Sequence, residues 1–133
     1  MQYAVPRRGV PSAATLGKWA RAASDGFAVT LRIVGAREAR LLNRNFRRKD
    51  RATNVLSFAY GKHGDVVLCH PVIVREARAQ RKRLAAHYAH LVLHGVLHLR
   101  GYRHDTKSRA RNMEADEIRL LRRFGFADPY TIE

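Results

Sequence analysis

The run "LAAHYAHLVLHGVLHLRG", Leu84 to Gly101, is apolar at helical spacing and must be covered by other elements of the fold. It is the second half of a longer helical pattern opened by Pro71, "VIVREARAQRKRLAAHYAHLVLHGVLHLRG". That pattern is too long for one uninterrupted element, and a break is expected near Leu84. What surrounds the apolar half follows from the rest of the chain. "MQYAV" reads as a short edge strand stopped by Pro6, and Ser12 reads as the N-cap of a helix "AATLGKWARAAS" with Leu16, Trp19, Ala20 and Ala23 on one face. Phe27 to Val34 alternates as a strand ending at Gly35. "AREARLLNRNF" is helical through Ala39, Leu42 and Phe46. "VLSFAY" and "DVVLC" are strands joined by "GKHG", and "SRARNMEADEIRLLRRFG" is an amphipathic helix through Met113, Glu117, Leu120 and Leu121. No repeat or linker interrupts residues 1–133, so one domain is expected.

The apolar helix carries a pattern with chemical meaning. His94 and His98 stand four apart, on one face a single turn apart, and Gly101 can end the helix so that His104 turns back toward them. Three imidazoles from a helix and the loop after it form a tripod that leaves a fourth position for water, as in catalytic zinc sites. Satisfied core histidines are the ordinary explanation of a lone His; three at this spacing, with Gly101 at the turn, favour metal ligation. Zinc, nickel, copper and iron all suit such donors, with zinc the ion expected. His63, His70, His87 and His90 read as ordinary polar residues. The same spacing occurs in metzincin proteases, where a Glu beside the first ligand is the general base. Gly95 stands there in this chain, which argues against peptide hydrolysis.

Charge points to the partner. Twenty-six Lys and Arg against eleven Asp and Glu leave a net charge of +15, an imbalance suited to phosphate contacts and counterion release. The single cysteine, Cys69, excludes an internal disulfide and a cysteine-rich zinc site, and suits a reducing cytoplasm. No apolar run approaches the length of a bilayer span, so a soluble cytoplasmic protein without membrane association is expected.

"HGVLHLRGYRH" resembles the HGxLHLxGYDH signature of the YbeY family, single-domain metal-dependent endoribonucleases and ribosomal RNA maturation factors. "LNRNFRRKDRATNVLSF", Leu42 to Phe58, is similar to that family's LNxxYRxKDxPTNVLSF, and "GDVVLC" followed by "REA" to the segment after it. The resemblance implies an α/β (α+β) fold, a small mixed sheet of about four strands packed with about five helices. Its metal site would lie on a helix and the following loop. It also implies His94, His98 and His104 as ligands and Arg47 as the functionally important arginine. The implied activity is single-strand-specific, metal-dependent RNA cleavage in ribosomal RNA maturation and ribosome quality control. The implied partners are ribosomal and precursor RNA and the small ribosomal subunit or its proteins.

In such a site the ion would activate water and polarise a phosphoryl oxygen, and the planar fork of Arg47 would clamp the scissile phosphate. On spacing alone Arg47 is a solvated loop residue, and Ser57 and Asn54 have no role. Arg44, Arg48, Lys49 and Arg51 would form an electropositive loop beside the chemistry, and "RAQRKR" a second basic patch. The chain departs from the family pattern at Phe46, Arg48, Ala52 and Arg103, the last in place of Asp. Arg103 is expected to point outward to RNA phosphate, with Asp105 the candidate for orienting a ligand in place of the lost carboxylate. Two other readings stand beside this one: a non-catalytic RNA-binding assembly factor with a structural metal, and a metal hydrolase of another substrate.

Overall fold

A computed structural model describes residues 1–130. The chain opens with a short strand, β1 (Gln2–Tyr3), and Ser12 then caps α1 (Ala13–Ser24) by accepting a hydrogen bond from the Thr15 backbone N–H. The four residues expected on its inner face, Leu16, Trp19, Ala20 and Ala23, are buried. There follow β2 (Ala28–Val34), α2 (Ala36–Arg47), the hairpin β3 (Val55–Tyr60) and β4 (His63–Cys69), and then α3 (His70–Ala79), α4 (Leu84–Leu99) and α5 (Lys107–Arg123). The long helical pattern breaks between Ala79 and Leu84, as its length requires.

The four strands form one mixed sheet in the order β1-β2-β4-β3, with β1, β2 and β4 parallel and β3 antiparallel to β4. Both faces are covered. Leu31, Ile33, Val66 and Leu68 pack with Leu16 and Trp19 of α1, with the apolar side chains of α4, and with Met113, Leu120 and Leu121 of α5. The alternate residues Val34, Leu56, Val67 and Cys69 pack with Ala39 of α2 and Val72 of α3. The period-two alternation of β2 and β4 thus feeds two cores, and each fully buried Leu or Ile contributes roughly 1.5–3 kcal/mol.

Two local expectations change. β4 begins at His63 and not at Asp65, so the hairpin turns on Gly61 and Lys62 alone, with Gly61 at φ +63°. On α2 the buried position belongs to Asn43, whereas Phe46 is 61% exposed. A polar residue can sit there because its side-chain amide N–H donates to the Arg51 carbonyl at 2.9 Å, while the Asn43 backbone carbonyl accepts from the N–H groups of Arg48 and Lys49. Asn43 thereby winds the basic loop back onto the end of α2.

Candidate functional site

The site is built where α4 crosses β3 and β4. A Cβ on Gly95 would lie 2.7 Å from Val66 Cγ1, 3.2 Å from Val55 Cγ2 and 3.2 Å from Ser57 Oγ, so only glycine lets the helix approach this closely. Position 95 therefore faces the sheet, and a glutamate there could not enter without displacing α4. The absence of a protease-type general base follows from packing as well as from residue identity.

His94 and His90 point from α4 toward α5 and meet Glu117, which has no solvent exposure. His94 Nδ1 lies 3.0 Å from one Glu117 oxygen and His90 Nε2 2.9 Å from the other, and the Tyr130 hydroxyl donates to the carboxylate at 2.5 Å. Burial by itself pushes the Glu117 carboxyl up. The His90, His94 and Tyr130 donors outweigh it and hold the group at about 2, so it is ionised at neutral pH. Both ring nitrogens facing it must then carry hydrogen. That fixes the tautomer of His94 and leaves its Nε2 available, as in carboxylate–histidine–metal arrangements.

His98 is oriented by backbone. Gly101, at φ +100°, ends α4: its N–H donates to the His98 carbonyl at 3.1 Å, and the Tyr102 N–H donates to the Leu97 carbonyl at 3.2 Å. The Tyr102 carbonyl then lies 3.2 Å from His98 Nδ1, and the tautomer with hydrogen on Nδ1 would donate to it and leave Nε2 available. Burial, followed by the charge of Arg103 and smaller effects of His94, His104 and Arg47, pushes His98 down to about 4, so the ring is neutral at pH 7. The turn carries His104 back over the helix, with ring centroids 5.7 Å from His94 and 6.1 Å from His98. The His104 ring thus neighbours both helical rings, while the donor atoms that lie within 4.8 Å of one another among the described residues are those of His90, His94 and Glu117.

Arg103 does not extend outward. Its Nη1 donates to the Tyr102 carbonyl at 2.9 Å and the His98 carbonyl at 3.1 Å, and lies 3.0 Å from His98 Nδ1. The carbonyls at the C-terminal end of α4 attract a cation, and Arg103 lies against them while staying exposed. Asp105 does not take the orienting role either, because it pairs with Arg109 at 3.1 Å one helical turn away. The carboxylate that orients a histidine comes from α5. Glu117 reads in the sequence only as a core-facing position, although a Glu among Met113, Leu120 and Leu121 was itself a sign that a buried carboxylate needed partners.

Arg47 ends α2 and donates from Nη2 to the Ser57 carbonyl at 2.7 Å, with its guanidinium 5.0 Å from the Phe58 ring centre. Ser57 in turn donates from Oγ to the Gly95 carbonyl at 2.9 Å. Two hydrogen bonds thus link Arg47 to the residue after His94. Arg44, Arg48, Lys49 and Arg51 are exposed beside it, and none has a carboxylate within 4.0 Å among the described residues. The second basic patch lies elsewhere: Arg81, Lys82 and Arg83 line a cleft of about 650 Å³ with Phe126 and Pro129.

The family model described as Endoribonuclease YbeY matches residues 12–125. The chain belongs to the YbeY family. The Endoribonuclease YbeY of Cupriavidus metallidurans is 51% identical over 93% of this chain, and the match spans 66% of that protein. That of Nitrosomonas eutropha is 47% identical over 100% of this chain and 98% of its own length. A solution structure from Thermotoga maritima shares the fold with a TM-score of 0.59, covering 98% of each chain at 23% identity. Relative to YbeY proteins of the first kind, this chain spans about two thirds of the length.

A metal ion suits the chemistry of the donors. His90, His94 and Glu117 offer ligand atoms within 4.8 Å of one another and could hold one. The His94 ring also lies beside that of His104. No helix among the described residues is long and apolar enough to cross a membrane.

Proposed function

We propose that this chain is a metal-dependent endoribonuclease cleaving single-stranded regions of ribosomal precursor RNA in the cytoplasm, in association with the small ribosomal subunit. The observation that supports this reading is the His104 ring lying 5.7 Å from that of His94 and 6.1 Å from that of His98, with His94 Nδ1 held by Glu117 and His98 Nδ1 beside the Tyr102 carbonyl. Such rings present Nε2 in a fixed direction, which is what ligation requires. In this reading His94, His98 and His104 hold one Zn²⁺, and Glu117 orients without ligating. The oxygens of Glu117 already accept from three donors and have no solvent exposure, so a ligand set centred on them would leave no approach for a substrate.

A divalent ion on three imidazoles supplies a lowered pKa to bound water and polarises a phosphoryl oxygen. The chain's own residues do the rest. Arg47, fixed by the Ser57 carbonyl, offers its remaining N–H groups to the scissile phosphate and to charge that develops on it. Arg44, Arg48, Lys49 and Arg51 attract the flanking backbone, and Arg103, once released from the end of α4, adds a further phosphate contact. The relatives named Endoribonuclease YbeY support RNA as substrate.

The test is metal analysis of the purified protein, together with cleavage of a structured RNA containing single-stranded loops, with and without chelator. Stoichiometric zinc and chelator-sensitive cleavage confined to the loops are expected. RNA binding without metal-dependent cleavage would select the non-catalytic assembly factor instead.

A further inference from the structure

α2 is a strongly polar helix whose buried residues are Ala39 and Asn43, yet it ends with an aromatic ring in water: Phe46 is 61% exposed. The ring meets Phe58 edge to face, with centroids 5.5 Å apart and planes at 72°. In the chain it is flanked by the exposed cations Arg44, Arg47, Arg48, Lys49 and Arg51. Arg48 turns the chain in a left-handed conformation at φ +58°, so the basic loop folds back from the helix end and leaves the ring standing at its edge.

We infer that Phe46 is a stacking platform for an unpaired nucleobase of the RNA held by this basic loop. The inference rests on the reading of the chain as a ribonuclease and adds a residue that reads bases where the cations read only phosphate. An aromatic face flanked by cations is the pairing with which proteins hold single strands: the charges track the backbone, and the ring accepts any base through its π-face. A paired base cannot supply that face, because it is already stacked in its own helix. Phe46 therefore favours single-stranded RNA over duplex at a position next to Arg47, with Phe58 packed against the ring. The neighbouring cations could serve both forms of RNA equally; the ring cannot.

The test uses a labelled single-stranded oligoribonucleotide and an abasic ribose-phosphate oligomer of the same length, mixed by stopped flow so that binding is read before cleavage. Phe46→Ala and Phe46→Leu should weaken the base-containing strand by roughly 5- to 150-fold, the range for losing one stacked base, and leave the abasic strand unchanged. Phe46→Trp should restore affinity, and its new fluorescence should be quenched by the base-containing strand alone. Equal affinities for wild type and Phe46→Ala would overturn the assignment. So would an equal loss for both oligomers, which would mean a general disturbance of the loop. Loss of self-association in Phe46→Ala, with RNA affinity intact, would make the ring a contact between copies. Failure of the wild type to bind either oligomer would instead reject the ribonuclease reading itself, and this inference with it.

Discussion

The Ser57 hydroxyl donates to the Gly95 carbonyl at 2.9 Å, and this one bond joins the strand that steadies Arg47 to the helix that carries His94 and His98. It exists because Gly95 has no side chain. A methyl group there would meet Val66 Cγ1 at 2.7 Å. Gly95→Ala gains about 1 kcal/mol of helix propensity and meets an overpacking cost of about 1–3 kcal/mol, so a net loss of roughly 1 kcal/mol is expected in urea unfolding. Val66→Ala should cost much less in the Gly95→Ala background than alone, and strict additivity in that double-mutant cycle would show that the close approach is not the constraint.

Glu117→Gln preserves shape but places an amide against two imidazole N–H groups. His94 loses the acceptor that fixes its tautomer, and zinc affinity should drop by about 10- to 100-fold with the fold retained. Competition titration against a zinc chelator measures this. If Glu117 were a ligand, the loss would approach that of His94→Ala.

Arg47→Ala removes a phosphate donor without touching the histidines. Zinc content should stay at the wild-type level while RNA cleavage slows by about 100-fold. Cleavage at the wild-type rate, with the variant shown to be folded by circular dichroism, would remove Arg47 from the reaction.

Arg103→Asp replaces a cation whose Nη1 lies 3.0 Å from His98 Nδ1 with a carboxylate. Repulsion of the incoming ion falls and His98 becomes a better donor, so zinc binding should tighten by roughly tenfold. An unchanged or weaker affinity would mean that Arg103 leaves the helix end before metal enters.

The pH dependence of stability in the metal-free protein should come in part from His87 and His70, which lie outside the three-histidine cluster. Burial pushes both below the usual histidine value; for His87 the hydrogen bond and charge of Glu76 oppose this only partly. The unfolded chain then takes up these protons first. Stability is fully present above about pH 6.5, the unfolded histidine value, and declines as pH falls through the lowered folded values. Urea midpoints between pH 7.5 and 5 should fall for the wild type and fall less for His87→Gln.

Much of this was legible in the chain. Ser12, Gly101 and the His94/His98 spacing act locally, through a cap, a turn and a helical period, and each appears where the sequence puts it. Glu117 and Ser57 were not legible because their roles depend on contacts across 23 and 38 residues of chain, which no local pattern encodes. Phe46 misled for a related reason. Helical periodicity marks an apolar position as buried, and only the folded protein shows that Asn43 takes the inner place by satisfying the loop behind it. Arg103 misled because a carbonyl-rich helix end competes with solvent for a guanidinium.

Tyr102 hydrogen-bonds to Asp116, and Glu117 holds His94, so adjacent residues of α5 fasten the turn that bears His104 and the first histidine of the cluster. The cluster is therefore indexed by a helix that contributes none of its imidazoles. Any metal held by these rings would therefore meet donors whose spacing depends on how α5 packs through Met113, Leu120 and Leu121.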